Sequence, residues 1–191
     1  MHPGDEVAVA LWRRLDTAGH DAARLSRTTQ GWVLQGTAAF RDESGPAGIR
    51  YEVVLDGGWA TLRGRVQGFI AGQEFDDVIT RAGGVWTFNG QKVPGLEHLV
   101  DLDFGFTPAT NLQQLRRVPI AIGQAADIPV AWVDAGGRTL VEMRQRYERI
   151  AERTYRYRSS TTGYHGVLEL APNGFAARYP TLWEIVESRS V

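Results

Sequence analysis

Two carboxylates, Asp101 and Asp103, stand two residues apart just before the segment Gly105-Phe106-Thr107-Pro108-Ala109-Thr110-Asn111 and the twin arginine Arg116-Arg117. On a strand, residues i and i+2 share a face at roughly 7 Å. Such a pair can work as general acid and base or ligate a hard cation. It can equally bind sugar hydroxyls, or accept hydrogen bonds from the amides of the following loop and from Arg116 or Arg117. Neighbouring residues on a strand point to opposite faces, so one arginine is expected inside and the other in water. An inward guanidinium needs a partner, because stripping a charge of water is expensive. Asp101, Asp103 or an anionic or sugar-bearing ligand would supply it at Arg116.

Signatures of catalysis are otherwise absent from the sequence. There is no Gly-x-Ser-x-Gly elbow and no Walker loop. Asp103-Phe104-Gly105 spells the kinase magnesium triplet, but no glycine-rich phosphate loop, strand lysine or His-Arg-Asp segment accompanies it. His2, His20, His98 and His165 show no metal-binding spacing, and the absence of cysteine removes disulfides, thiolate metal sites and a thiol nucleophile. The expectation is a protein without metal or cofactor that is not an enzyme.

The 191 residues suit one domain, spanning 1–191. A net charge of -1 argues against a general nucleic-acid partner, which would need a clear basic excess. Lysine occurs only at Lys92, so arginine carries the positive charge; this reflects either codon usage or many guanidinium contacts to anions. Asp5, Glu6, Arg13 and Arg14 interrupt any leader-like apolar run, and no stretch is long and apolar enough to span a membrane. A soluble cytoplasmic location is the natural inference; the oligomeric state is left open.

The elements that must position these groups read as strands. Turn signals recur at Thr17-Ala18-Gly19, Gln30-Gly31, Ser44-Gly45-Pro46, Asp56-Gly57-Gly58, Gly83-Gly84, Asn89-Gly90, Ala135-Gly136-Gly137, Thr162-Gly163 and Asn173-Gly174. Runs rich in Val, Ile, Tyr, Trp and Thr lie between them, among them Leu99 to Phe104 and Val118 to Ile122. An antiparallel meander follows, with no reason to expect parallel pairing. Tyr51, Val53 and Leu55 alternate with Arg50, Glu52 and Asp56, so one face is apolar and the other wet. Alternation also groups Ala60, Leu62, Gly64 and Val66, leaving Trp59, Thr61, Arg63 and Arg65 opposite. That second face is either solvated or lines a space for a polar head.

Leu140, Met143, Tyr147 and Ile150 fit an amphipathic helix over 139 to 153, and the strand alternative places Val141, Met143 and Tyr147 on one face. Residues 5 to 15, with Asp5 as a candidate N-cap, carry the same ambiguity.

The acidic strand Asp101-Leu102-Asp103-Phe104, the Gly105 to Asn111 loop and Arg116-Arg117 together resemble the signature of the bacterial glycolipid-binding family. So do Leu11-Trp12-Arg13-Arg14-Leu15-Asp16, Gly31-Trp32, Ile49-Arg50-Tyr51, Asp56-Gly57-Gly58-Trp59, Gly84-Val85-Trp86, Ala131-Trp132-Val133, Gln145-Arg146-Tyr147, Tyr155-Arg156-Tyr157 and Tyr179-Pro180-Thr181-Leu182-Trp183, over about residues 8–188. The positions after Asn111 depart, with Leu-Gln-Gln-Leu where the family more often has Thr-Leu-Pro-Ile. The resemblance implies an all-β fold, a strongly curved antiparallel spiral β-roll or barrel-like sheet of many short strands, and it decides for strand over 139 to 153. It further implies non-enzymatic binding of an amphiphile, a glycolipid or lipid, in an apolar interior. The expected rim is Asp101, Asp103, Thr107, Asn111 and Arg116 together with Arg63. Rings expected to line the interior are Trp59, Trp132, Tyr147, Tyr157 and Trp183, since Tyr and Trp pair an apolar body with a polar tip. Two alternatives stand beside it: a small hydrolase or isomerase using Asp101 or Asp103 in the same cavity, and a ligand-free module that binds a partner protein through a strand edge.

Overall fold

The computed structural model describes residues 5–134 and 136–190. His2 and Ala135 lie outside them. Eight strands follow one another as a meander: Asp5–Arg14 (β1), Gly19–Thr28 (β2), Gly31–Arg41 (β3), Pro46–Asp56 (β4), Thr61–Ile70 (β5), Gln73–Ala82 (β6), Val85–Phe88 (β7) and Gln91–Val93 (β8). Asp101–Phe104 (β9) and the helix Asn111–Arg117 (α1) come next, then Ala125–Asp127 (β10), Val130–Asp134 (β11) and Thr139–Met143 (β12). A second meander is built from Gln145–Ala151 (β13), Thr154–Ser159 (β14), His165–Leu170 (β15), Ala176–Tyr179 (β16) and Trp183–Ser190 (β17).

Antiparallel pairing of β17 with β1 joins the two meanders into one 14-stranded sheet that runs from β10 at one edge to β8 at the other. The sheet is all antiparallel and strongly curved but not closed, so the all-β expectation holds. Strand alternation explains the curl. Ala47, Ile49, Tyr51, Val53 and Leu55 of β4 are all buried while Arg50 and the residues between face outward, and burying that single apolar face drives the sheet to wrap around it. Tight turns keep neighbours adjacent: Gly83-Gly84 and Asn89-Gly90 both hold two successive positive φ values, the geometry that matches strand twist. Ala71-Gly72 turns β5 into β6 in the same way, with Ala71 at φ 50°.

Several expectations are corrected. Arg116 and Arg117 lie on α1, not on a strand, and residues 118–122 form no strand. Leu112 to Arg117 contain no β-branched residue and are good helix formers throughout. A parallel pair does exist: β9 runs alongside β11, with Asp101 opposite Val130 and Phe104 opposite Val133, in a separate sheet ordered β12-β11-β9. A register shift beside Leu55 turns Thr61 inward, fully buried, and leaves Leu62 exposed, the reverse of simple alternation. Residues 139–151 are two strands, as expected, but the chain breaks at Arg144, so Leu140 is buried and Val141 exposed. Residues 5–14 are a strand. Trp59 sits in the turn after β4, not on a strand, at φ 70°.

The β9 to α1 segment packs into the inner face of the curled sheet. Every residue of β9 is buried, as are Asn111, Leu112, Gln113 and Gln114 of α1. Gly64 of β5 admits this insert: a Cβ there would lie 2.2 Å from Leu102.

Candidate functional site

The polar residues expected to meet a ligand inside the roll are engaged by other groups of the protein. Arg117, not Arg116, is the partner of Asp101: its Nε and one terminal nitrogen each donate to a carboxylate oxygen at 2.7 Å. Arg116 donates to the carbonyl of Asn173 at 3.0 Å. Asp103 accepts a short hydrogen bond from the Thr110 hydroxyl, which therefore does not cap α1. Asn111 donates to the Tyr147 hydroxyl at 2.8 Å, and Tyr147 donates to the Gln114 side chain at 2.9 Å. Gln145 continues the network, accepting from Tyr157 at 2.9 Å and donating to Gln114 at 2.6 Å.

A second buried knot holds the loop before the helix. Asp21 of β2, Tyr51 of β4 and Thr107 form a triangle: Tyr51 lies 2.8 Å from Asp21 and 3.0 Å from Thr107, and Thr107 makes a short bond to Asp21. Three contacts need three protons, and the two hydroxyls carry only two. A proton on Asp21, given to one hydroxyl so that this hydroxyl can donate to the other, would supply the third. Burial accordingly pushes the Asp21 carboxyl up to about 7, against the opposing pull of its bonds from Thr107 and Tyr51. Burial likewise raises Asp103 to about 7, with Thr110 and the Phe104 amide pulling back and the nearby Asp101 charge adding to the rise. Gly36 makes room for the Tyr51 tip, since a Cβ there would lie 2.1 Å from the hydroxyl oxygen.

Rings occupy the remaining interior. Phe104 and Phe106 stack at 5.4 Å, and Tyr51 meets both edge-on. Tyr147 and Tyr157 pack at 4.9 Å. The other expected rings are dispersed: Trp132 is half-buried against Gly105, Trp59 stacks on Trp32 at 4.5 Å, and the buried Trp183 packs under the Arg14 guanidinium. A ligand in this interior would have to displace the insert.

Arg63, among the expected residues, lines an open concavity. A groove of about 1100 Å³ crosses the outer face of β17, β1, β2, β3, β4 and β5. Strand register sets its order. One row of side chains runs Arg189, Val9, Arg24, Gln35, Glu52, Arg65, and the next runs Glu187, Leu11, Ala22, Thr37, Arg50, Gln67. Val9, Leu11 and Ala22 make an apolar stretch of floor, with arginine on both sides. Arg24 donates to Gln35, Gln35 donates to Glu52 at 2.7 Å, and Arg63 reaches Glu52 at 3.5 Å. Arg65 is held by Asp76 at 2.7 and 2.5 Å, and Arg189 by Glu187 at 2.6 Å. Sequence reasoning missed Arg24, Thr37 and Arg189. The outward alternation of Arg63 and Arg65 was the signal that a charged face existed; the register that joins it to β1 and β2 was not in the local sequence.

No group of His, Cys, Asp or Glu among the described residues has the arrangement to hold a metal ion, and no helix among them is long and apolar enough to cross a membrane. The profile of a family described as "Putative glycolipid-binding" matches residues 9–185. Among solved structures, the crystal structure of a DUF1089 family protein from Pseudomonas aeruginosa is similar, at 24% identity and TM-score 0.75, covering 86% of this chain and 91% of that one; it supports the fold alone. No curated protein matches.

Proposed function

The chain belongs to the putative glycolipid-binding family, and from that premise we propose that it binds an amphiphile, without turnover, in the groove on the outer face of the sheet. The observation that carries this reading is the groove itself: about 1100 Å³ of open concavity with an apolar floor and a guanidinium-rich surround. An acyl chain would lie along Val9, Leu11 and Ala22, and the head would reach the polar side chains of β2 to β5. Each methylene removed from water contributes about 0.8 kcal/mol, so a chain of ~10 carbons offers roughly 8 kcal/mol before the entropy of association is subtracted. The interior carboxylates support binding rather than an acid and base mechanism, because Asp101 and Asp103 are already engaged by Arg117 and Thr110.

Filling the groove tests this. Ala22 is exposed, so Ala22→Trp should leave folding intact while occupying the floor. The expected result is at least a tenfold loss of affinity for an uncharged glycolipid, measured by titration calorimetry in dilute micelles. Undiminished affinity in the folded variant would place the ligand elsewhere.

A further inference from the structure

We infer that the groove contains an oxyanion subsite, formed by Arg24, Thr37 and Arg50, that recognises a sulfate or phosphate on the ligand head group; this rests on the binding reading above and narrows its ligand class. Some of the charges in the groove are already matched. Of the five arginines that line it, Arg65 has Asp76 and Arg189 has Glu187. Glu52 is shared between the Gln35 amide and a long contact from Arg63, whose Nε is buried without an acceptor. Among the described residues, the Arg24 side chain donates only to the neutral Gln35 oxygen. Arg50 makes no hydrogen bond or ion pair with any described residue, and neither does the Thr37 side chain. Two guanidinium charges thus stand in the groove with no carboxylate opposite them.

Their placement suits one ligand group. Thr37 lies directly across from Arg50 on the neighbouring strand and directly across from Ala22 on the other side, and Arg24 is two residues from Ala22 on that strand. Arg24 and Arg50 therefore flank β3, with α-carbons about 12 Å apart from strand spacing and rise, a gap that two arginine arms closing on a common anion can span. Guanidinium forks match the paired oxygens of sulfate and phosphate, and a hydroxyl between them adds a third donor. The apolar floor at Leu11 and Ala22 adjoins the subsite, so a chain attached to the anion runs directly onto it. Arg24, Thr37 and Arg50 are all exposed, so the anion can enter and leave from solvent.

The test compares a galactosyl lipid with its sulfated form in phosphatidylcholine vesicles, using wild type, Arg24→Gln and Arg50→Gln, with inorganic sulfate as a separate arm. The sulfated lipid should bind about tenfold more tightly than the neutral one, and each variant should lose about tenfold for the sulfated lipid and far less for the neutral one. The preference should shrink as salt rises. Competition by inorganic sulfate would show that the anion alone suffices. Failure of sulfate to compete, with the sulfated preference intact, would show that the attached chain is needed; either result supports the subsite. Equal binding of both lipids, unchanged in Arg50→Gln, would overturn the subsite and leave the groove reading standing. Binding of neither lipid would overturn both. Both arginines are outward-facing, and unchanged melting temperatures in the variants check that any loss is not unfolding.

Discussion

Arg117→Ala is expected to destabilise the protein by about 3–5 kcal/mol at neutral pH, the range seen when one partner of a buried ion pair is removed. Asp101 is fully buried, and both of its oxygens are taken by the same guanidinium. Burial pushes its carboxyl up while Arg117 pulls it back, so the arginine keeps a charge in the core that the surroundings disfavour. Removing it leaves that carboxylate without its hydrogen-bonding guanidinium and with only the attraction of the Arg81 charge to offset burial. The loss should shrink as the pH falls, because Asp101 then protonates in both proteins and the pair no longer distinguishes them. An Arg117→Met, Asp101→Leu double variant should recover much of the stability, since an apolar pair of similar volume is tolerated where a lone charge is not. Denaturant unfolding at several pH values reads all three. A loss under about 1 kcal/mol at neutral pH would mean the pair behaves like an exposed one, and that α1 is not anchored to β9 in this way.

Stability is also expected to fall as the pH rises from about 4 to about 7. Asp21 and Asp103 start from an ordinary value of 3.8 and are each raised to about 7 in the folded protein. A group whose folded value lies above its unfolded value contributes fully below the unfolded one, and loses that contribution as the pH climbs through the folded one. At about 1.4 kcal/mol for each tenfold gain in proton affinity, each aspartate can contribute at most roughly 4 kcal/mol. The proton count of the Asp21, Tyr51, Thr107 triangle supports the same sign independently, because deprotonation leaves one of its three contacts without a hydrogen. Asp21→Asn with Asp103→Asn should flatten the profile across this window. A wild-type melting temperature that instead rises from pH 4 to pH 7 would show that both carboxylates are ionised in the fold.

How far the sequence reaches depends on how local the deciding contact is. Asn89-Gly90 and Gly83-Gly84 announce their turns because the residues themselves tolerate positive φ. Ala71 carries no such mark, and its turn is imposed by the pairing of β5 with β6. Thr61 and Leu62 exchange faces because of one bulge, which no count of alternate residues reveals. The polar insert was legible as a set of buried candidates, but it divides: Asn111 meets Tyr147, which packs on Tyr157, while Thr107 joins Asp21 and Tyr51, and Asp101 pairs with Arg117. Their partners Asp21 and Gln145 come from strands far away in sequence, and those partners decide how the group is engaged. Arg116 and Arg117, expected on a strand, instead end a helix whose residues from Leu112 on all favour helix locally. The groove is the extreme case, since its two rows exist only once six strands are in register.

On the proposed reading the amphiphile lies on the outer face, and the buried β9 to α1 insert leaves it no place inside the sheet. A crystal of the protein with an uncharged glycolipid bearing bromine along its acyl chain tests this most directly, because bromine is located by its anomalous scattering without reference to the rest of the structure. Bromine is expected over Val9, Leu11 and Ala22. Bromine among Phe104, Phe106 and Tyr147, with the Asn111 to Arg117 helix displaced, would contradict it.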